Sequence, residues 1–264
     1  MQAGLYTGEK SLINLLWRLL TRLLPDYSGS YNLLAMALPL QPIYLFADSQ
    51  LLFWSDEGKL FLESLRELIP DASPKAAYVG ASNGDDPQFY SIFEAAMEGI
   101  GIHDSRMILS SFPTTDELFM NEADIILLAG GDVERGWEVF NQTGLTELII
   151  KRYLEGAVLI GISAGAVQLG LFGLAQKDSL NKLIDTFKLV PFIIGAHEEK
   201  QEWKSLRDAI ELLDGSASGI GIPAGGGLIY YPDQTVEAIR YPLHEFSMRE
   251  GRISSSLLLP KQEH

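Results

Sequence analysis

The feature that most limits how this chain can fold is an alternation that begins near residue 42. Short apolar runs take turns with stretches of helical periodicity. PIYLFA (42–47), KAAYVGAS (75–82), SRMILSS (105–111), EADIILLAGGD (122–132), AVLIGIS (157–163) and VPFIIGAH (190–197) read as strands. Between or after them, EGKLFLESLRELI (57–69), PQFYSIFEAAMEGIG (87–101), LTELIIKRYLEG (145–156) and EWKSLRDAIELLDG (202–215) read as helices. Strands that are apolar almost throughout bury both faces, and strand–helix alternation supplies the helices that cover them. The expectation is an α/β domain over 42–264, with a doubly wound, mostly parallel sheet between helical layers. SGIGIP, GLIYYP and TVEAIRYP near the end are short and turn-bounded, and read as a small antiparallel addition.

Residues 1–41 read as an N-terminal helical extension. LINLLWRLLTRLLP (12–25) is apolar at helical spacing, but Arg18 and Arg22 interrupt it and bar a membrane span. NLLAMALP (32–39) has a faint signal-peptide look, against which stand Glu9 and the polar DYSGSYN. The plainer reading is an amphipathic helix that packs on the domain or on a second copy of the chain in a homo-oligomer. The expected location is the cytoplasm.

With 264 residues, 47% of them hydrophobic, the chain can bury a large core. A net charge of −15 repels phosphate backbones and anionic lipid, so neither nucleic acid nor membrane is an expected partner. There is no cysteine, which removes disulfides, thiolate zinc sites and thiol nucleophiles. The four histidines show no metal-ligand spacing; no metal or other cofactor is expected.

In open parallel sheets chemistry gathers at the carboxyl ends of strands. Three of the predicted strands end in Ser163, in Gly130-Gly131-Asp132 and in His197. If all three belong to one parallel sheet, those ends share an edge. Gly161-Ile162-Ser163-Ala164-Gly165 fits G-x-S-x-G, a sharp strand-to-helix turn whose small neighbours let it close and whose centre exposes a hydroxyl. The helix that follows points its first N–H groups toward developing negative charge. The plain alternative is a glycine-rich turn with a capping serine.

A serine nucleophile needs a base, and His197 is the candidate; the base needs a carboxylate, offered by Glu199 or by Asp178. Backbone N–H groups of Gly131 and Ala164 are candidates for an oxyanion hole. Gly130, Asp132 and Arg135 are candidates for substrate contact. Asp132 has a second reading as the cap of a helix.

LLAGGD, GISAGA and GAH, taken together over roughly 42–245, resemble the dipeptidase E and cyanophycinase family of serine peptidases, which has the class I glutamine amidotransferase-like fold. The resemblance implies Ser163 as nucleophile, His197 as base, and Gly131 with Ala164 as oxyanion hole. It implies an aspartate between serine and histidine as the acid, where Asp178 falls; glutamine amidotransferases place a glutamate two residues after the histidine, where Glu199 falls. It also implies small peptides containing aspartate as substrates. The family's arginines soon after the histidine are not matched here: EEKQEWKSLR offers Lys200, Lys204 and Arg207. The competing functions are a non-catalytic binding or sensing protein on the same fold and an amide or ester hydrolase of a small metabolite.

Overall fold

A computed structural model describes residues 39–177 and 180–261. The predicted helix at 12–25 and the candidate acid Asp178 lie outside the described residues. In chain order the strands are β1 (Ile43–Phe46), β2 (Ser55–Asp56), β3 (Lys59–Leu60), β4 (Lys75–Val79), β5 (Asp104–Ile108), β6 (Ile125–Leu128), β7 (Val158–Ile162), β8 (Phe172–Lys177), β9 (Leu180–Asp185), β10 (Ile193–Ala196), β11 (Gly219–Ile222), β12 (Gly227–Tyr230), β13 (Val236–Ile239), β14 (Leu243–Arg249) and β15 (Arg252–Leu258). The α-helices are α1 (Glu63–Glu67), α2 (Pro87–Gly99), α3 (Thr114–Met120), α4 (Val133–Thr143), α5 (Leu145–Leu154), α6 (Ala164–Leu169) and α7 (Lys204–Leu212).

The main sheet runs β13-β12-β1-β7-β6-β4-β5. Its β1, β7, β6, β4 and β5 pair in parallel, and β12 with β13 adds an antiparallel edge. Alternate residues of each central strand enter different cores. Ile43, Leu45, Ala77, Val79, Ile126 and Leu128 pack on one face. Tyr44, Phe46, Ala76, Tyr78, Ile125 and Leu127 pack on the other. That two-sided burial is why these strands read as unbroken apolar runs.

Local signals set the helices. Asp86 caps α2 by accepting from the Gln88 N–H, with Pro87 in the first turn. Asp132 caps α4 by accepting from the Arg135 N–H, and Gly144 ends α4 in the left-handed region.

Two expectations need correction. Residues 57–69 do not form one helix. Glu57 and Gly58 both have positive φ and close a two-residue turn between β2 and β3, so only 63–67 is α-helical. The strand that ends at His197 is not in the parallel sheet with β6 and β7. It is β10, the edge of a second sheet ordered β10-β11-β14-β15. The tail is accordingly shared: β12 and β13 extend the main sheet, while β11, β14 and β15 build the second one around β10.

Small residues let α7 lie close on that second sheet. A β-carbon on Gly221 would meet the Trp203 ring at 2.6 Å, and one on Gly195 would meet Leu206 at 3.2 Å. Trp203 is buried there and tilts against His244 with ring centroids 5.2 Å apart. This packing anchors β10, whose last residue precedes His197.

Candidate active site

Ser163 stands between β7 and α6 with φ 50 and ψ −108, a conformation that side-chain-bearing residues seldom adopt. Its N–H donates to the Phe46 carbonyl at the end of β1 (2.9 Å), and its carbonyl accepts from the Val167 N–H (3.0 Å). The turn is therefore pinned from both sides.

The two glycines of the motif serve close approach rather than left-handed backbone. Neither has positive φ. A β-carbon on Gly161 would lie 2.7 Å from the Ala166 Cα and N, and one on Gly165 would overlap the Leu128 carbonyl. Strand β7, helix α6 and strand β6 touch backbone to backbone, and only glycine fits.

A serine present only to cap α6 would bond the helix through its side chain. Ser163 makes no such bond. Its Oγ lies 2.8 Å from His197 Nε2. His197 has φ 48, and its N–H donates to the Ile222 carbonyl of β11 (2.9 Å). The ring is exposed while Ser163 is half-buried. The two sheets thus bring the serine and the histidine together across their carboxyl ends.

The carboxylate partner is less complete. Among the described residues no side chain hydrogen-bonds the second ring nitrogen of His197. Glu198 and Glu199, next along the chain, each keep a buried Oε2 with no hydrogen-bond partner. An unpartnered buried carboxylate oxygen is costly, and neither of these two bonds the His197 ring.

The Gly130-Gly131 turn faces the serine. A β-carbon on Gly130 would stand 3.4 Å from Ser163 Cβ. Gly131 has φ +139, and a β-carbon there would overlap the Ser82 carbonyl. That same carbonyl accepts from the Asp132 N–H (2.9 Å). The N–H groups of Gly131 and Ala164 donate to no backbone carbonyl among the described residues, which leaves them available to a ligand.

Two residues that sequence reasoning missed hold this arrangement. Gln168, fully buried on α6, donates from Nε2 to Ser82 Oγ (3.1 Å) and to the Val133 carbonyl (3.0 Å). Ser82 follows β4 and Val133 opens α4. One amide therefore ties together the loops that follow β4, β6 and β7. Gly136 makes room, since a β-carbon there would overlap Ser82 Oγ. The pair is 86 residues apart, so no local pattern announces it.

A cavity of about 230 Å³ opens at Ser163 and is lined also by His197, Gly130 and Gly131. Of the remaining candidates, Asp132 caps α4, and the Arg135 guanidinium lies against Gly84; neither lines this cavity. Lys200 and Arg207 are exposed, and Lys204 pairs with Asp208 (2.6 Å). No cluster of three or more His, Asp or Glu fit for a metal ion occurs among the described residues, and no helix there is long and apolar enough to cross a membrane.

Comparison with known proteins agrees with this layout. The peptidase family S51 model matches residues 48–239. A peptidase from an acI-B1 Actinobacterium has a similar crystal structure, with TM-score 0.63 and 18% identity over 84% of this chain and 96% of that one. At that identity the likeness speaks for the fold. The uncharacterized peptidase YgaJ of Bacillus subtilis (strain 168) is 26% identical over 95 residues, which are 36% of this chain and 41% of that protein's length. With the S51 pattern spanning β4 to β13, and with them the serine turn and His197, the chain belongs to peptidase family S51.

Proposed function

We propose that the protein is a serine peptidase of small peptides that works through an acyl-enzyme on Ser163. The observation that carries this reading is the 2.8 Å contact between Ser163 Oγ and His197 Nε2. His197 accepts the hydroxyl proton as Oγ adds to the scissile carbonyl. The oxyanion that forms is met by the N–H groups of Gly131 and Ala164. The C–N bond then breaks, Nε2–H protonates the departing amine, and an ester on Ser163 remains. Water adds to the ester with His197 again as base, releasing the acid and restoring the serine.

Glu199 is the proposed carboxylate that orients His197, supported by its place two residues after the histidine and by a buried Oε2 without a hydrogen-bond partner, a feature that Glu198 shares. Asp178 is the competing proposal. The strained φ of Ser163 supports its own role as nucleophile, because such strain persists where a side chain must be aimed. Aspartate selectivity draws no support from the cavity, which has no lysine or arginine among its described lining residues.

The test is hydrolysis of a panel of small peptides by the wild-type protein and by Ser163→Ala. The expected loss in kcat is about 10⁴-fold or more. Equal turnover by the two proteins would refute the role of Ser163.

A further inference from the structure

We infer that the cavity beside Ser163 receives an apolar side chain on the acyl side of the scissile bond, and selects leucine- or phenylalanine-like residues over aspartate there. This rests on the serine-peptidase reading and names its substrate class.

The walls carry the inference. Leu52, Phe89, Ile92, Phe93, Leu127 and Ile162 line the cavity. Phe93 and Leu127 are buried, while Phe89 is 51% exposed, so a bound apolar group would cover an aromatic ring now in water. The titratable residues of the lining are Asp48, Tyr78 and His197. The Asp48 carboxylate accepts from the N–H groups of Gly225 (2.7 Å) and Gln50 (2.9 Å). Those bonds fix its oxygens in the wall, where a carboxylate repels an acidic substrate. Two further polar groups of the wall are already joined, with Asn83 Nδ2 donating to the Tyr78 hydroxyl (2.7 Å). A substrate carboxylate entering here would leave water for apolar walls with no cation to meet it.

Size and direction fit the same assignment. A volume of about 230 Å³ falls below the roughly 300–1,000 Å³ of pockets for whole drug-sized ligands, and suits one large side chain. His197 is exposed and must protonate the leaving amine, so the amine departs toward solvent. The acyl group stays bonded to Ser163, and its side chain is the part that can remain in the cavity.

The experiment compares N-acetyl-Xaa p-nitrophenyl esters with Xaa leucine, phenylalanine, alanine or aspartate, with Ser163→Ala as background and fluorophosphonate labelling of Ser163 in parallel. Leucine or phenylalanine should exceed alanine by about tenfold or more in kcat/KM, and aspartate by roughly a hundredfold. Ile92→Arg, checked for folding by circular dichroism, should narrow the leucine-to-aspartate ratio by at least about tenfold. A preference for aspartate, or a flat series with Ser163 still labelled, would overturn the inference and leave the serine peptidase standing. No Ser163-dependent turnover of any ester together with no labelling would remove the underlying reading, and the acyl assignment with it.

Discussion

Gly165 packs its α-carbon directly under the carbonyl of Leu128, so close that a methyl group at residue 165 would overlap the carbonyl oxygen. Helix α6 is thereby seated on the end of β6, beside the Gly130-Gly131 turn, and the serine inherits its position from that contact. Gly165→Ala forces backbone to move and should destabilise the fold by about 1–3 kcal/mol or more. It should also lower kcat. Denaturant unfolding checks the first; a midpoint equal to that of the wild type would contradict the packing described here.

Ser163 holds a backbone conformation that glycine adopts more readily. Ser163→Gly should therefore be more stable than Ser163→Ala by roughly 1 kcal/mol, with both inactive. Thermal melts of the two variants side by side give the answer. Equal stability would mean that no strain resides at this residue.

The identity of the acid is separable by kinetics. Glu199→Gln keeps the shape and removes the charge, and should reduce kcat by about 10²–10⁴-fold, since a misoriented imidazole loses most of its effect as a base. Asp178→Asn should change kcat by less than about threefold on the same scale. The opposite ranking would transfer the role to Asp178.

The tyrosines predict alkaline lability. Burial pushes the phenols of Tyr78, Tyr90, Tyr230 and Tyr231 up to about 12, with the Asn83 hydrogen bond partly opposing the shift at Tyr78. Burial raises Tyr44 and Tyr153 as well. In the unfolded chain these groups ionise near about 10. Between those values the folded protein binds more protons than the unfolded one, so stability falls as pH rises. The contribution is complete below about pH 10 and is lost through about pH 12. Unfolding free energies measured from pH 8 to 12 should decline through that window; a flat profile would contradict the burial of these phenols.

Much of the parallel sheet was legible because β1, β4, β6 and β7 are buried on both faces, and that burial writes itself as continuous apolar sequence. The GISAGA turn was legible for a related reason: glycine is demanded wherever backbones touch. Of helix α4 only the start was legible, from Asp132 as a cap, because Gly136, which accommodates Ser82 and Gln168, interrupts the rest of its pattern. The β8–β9 hairpin mixes polar and apolar residues and signals neither period clearly. The second sheet could not be told from the first, since an apolar run such as IIGA shows that a strand is buried and not which strands flank it. Gln168 and Ser82 act through a contact between distant segments, and only the folded chain brings them together.

The central claim is that His197 activates Ser163, and intact-protein mass spectrometry after brief exposure to a fluorophosphonate tests it most directly. The account predicts a single phosphonyl adduct, mapped to Ser163, that forms at least about a hundredfold more slowly in His197→Ala. No adduct on Ser163, or an adduct formed at the same rate without His197, would contradict it.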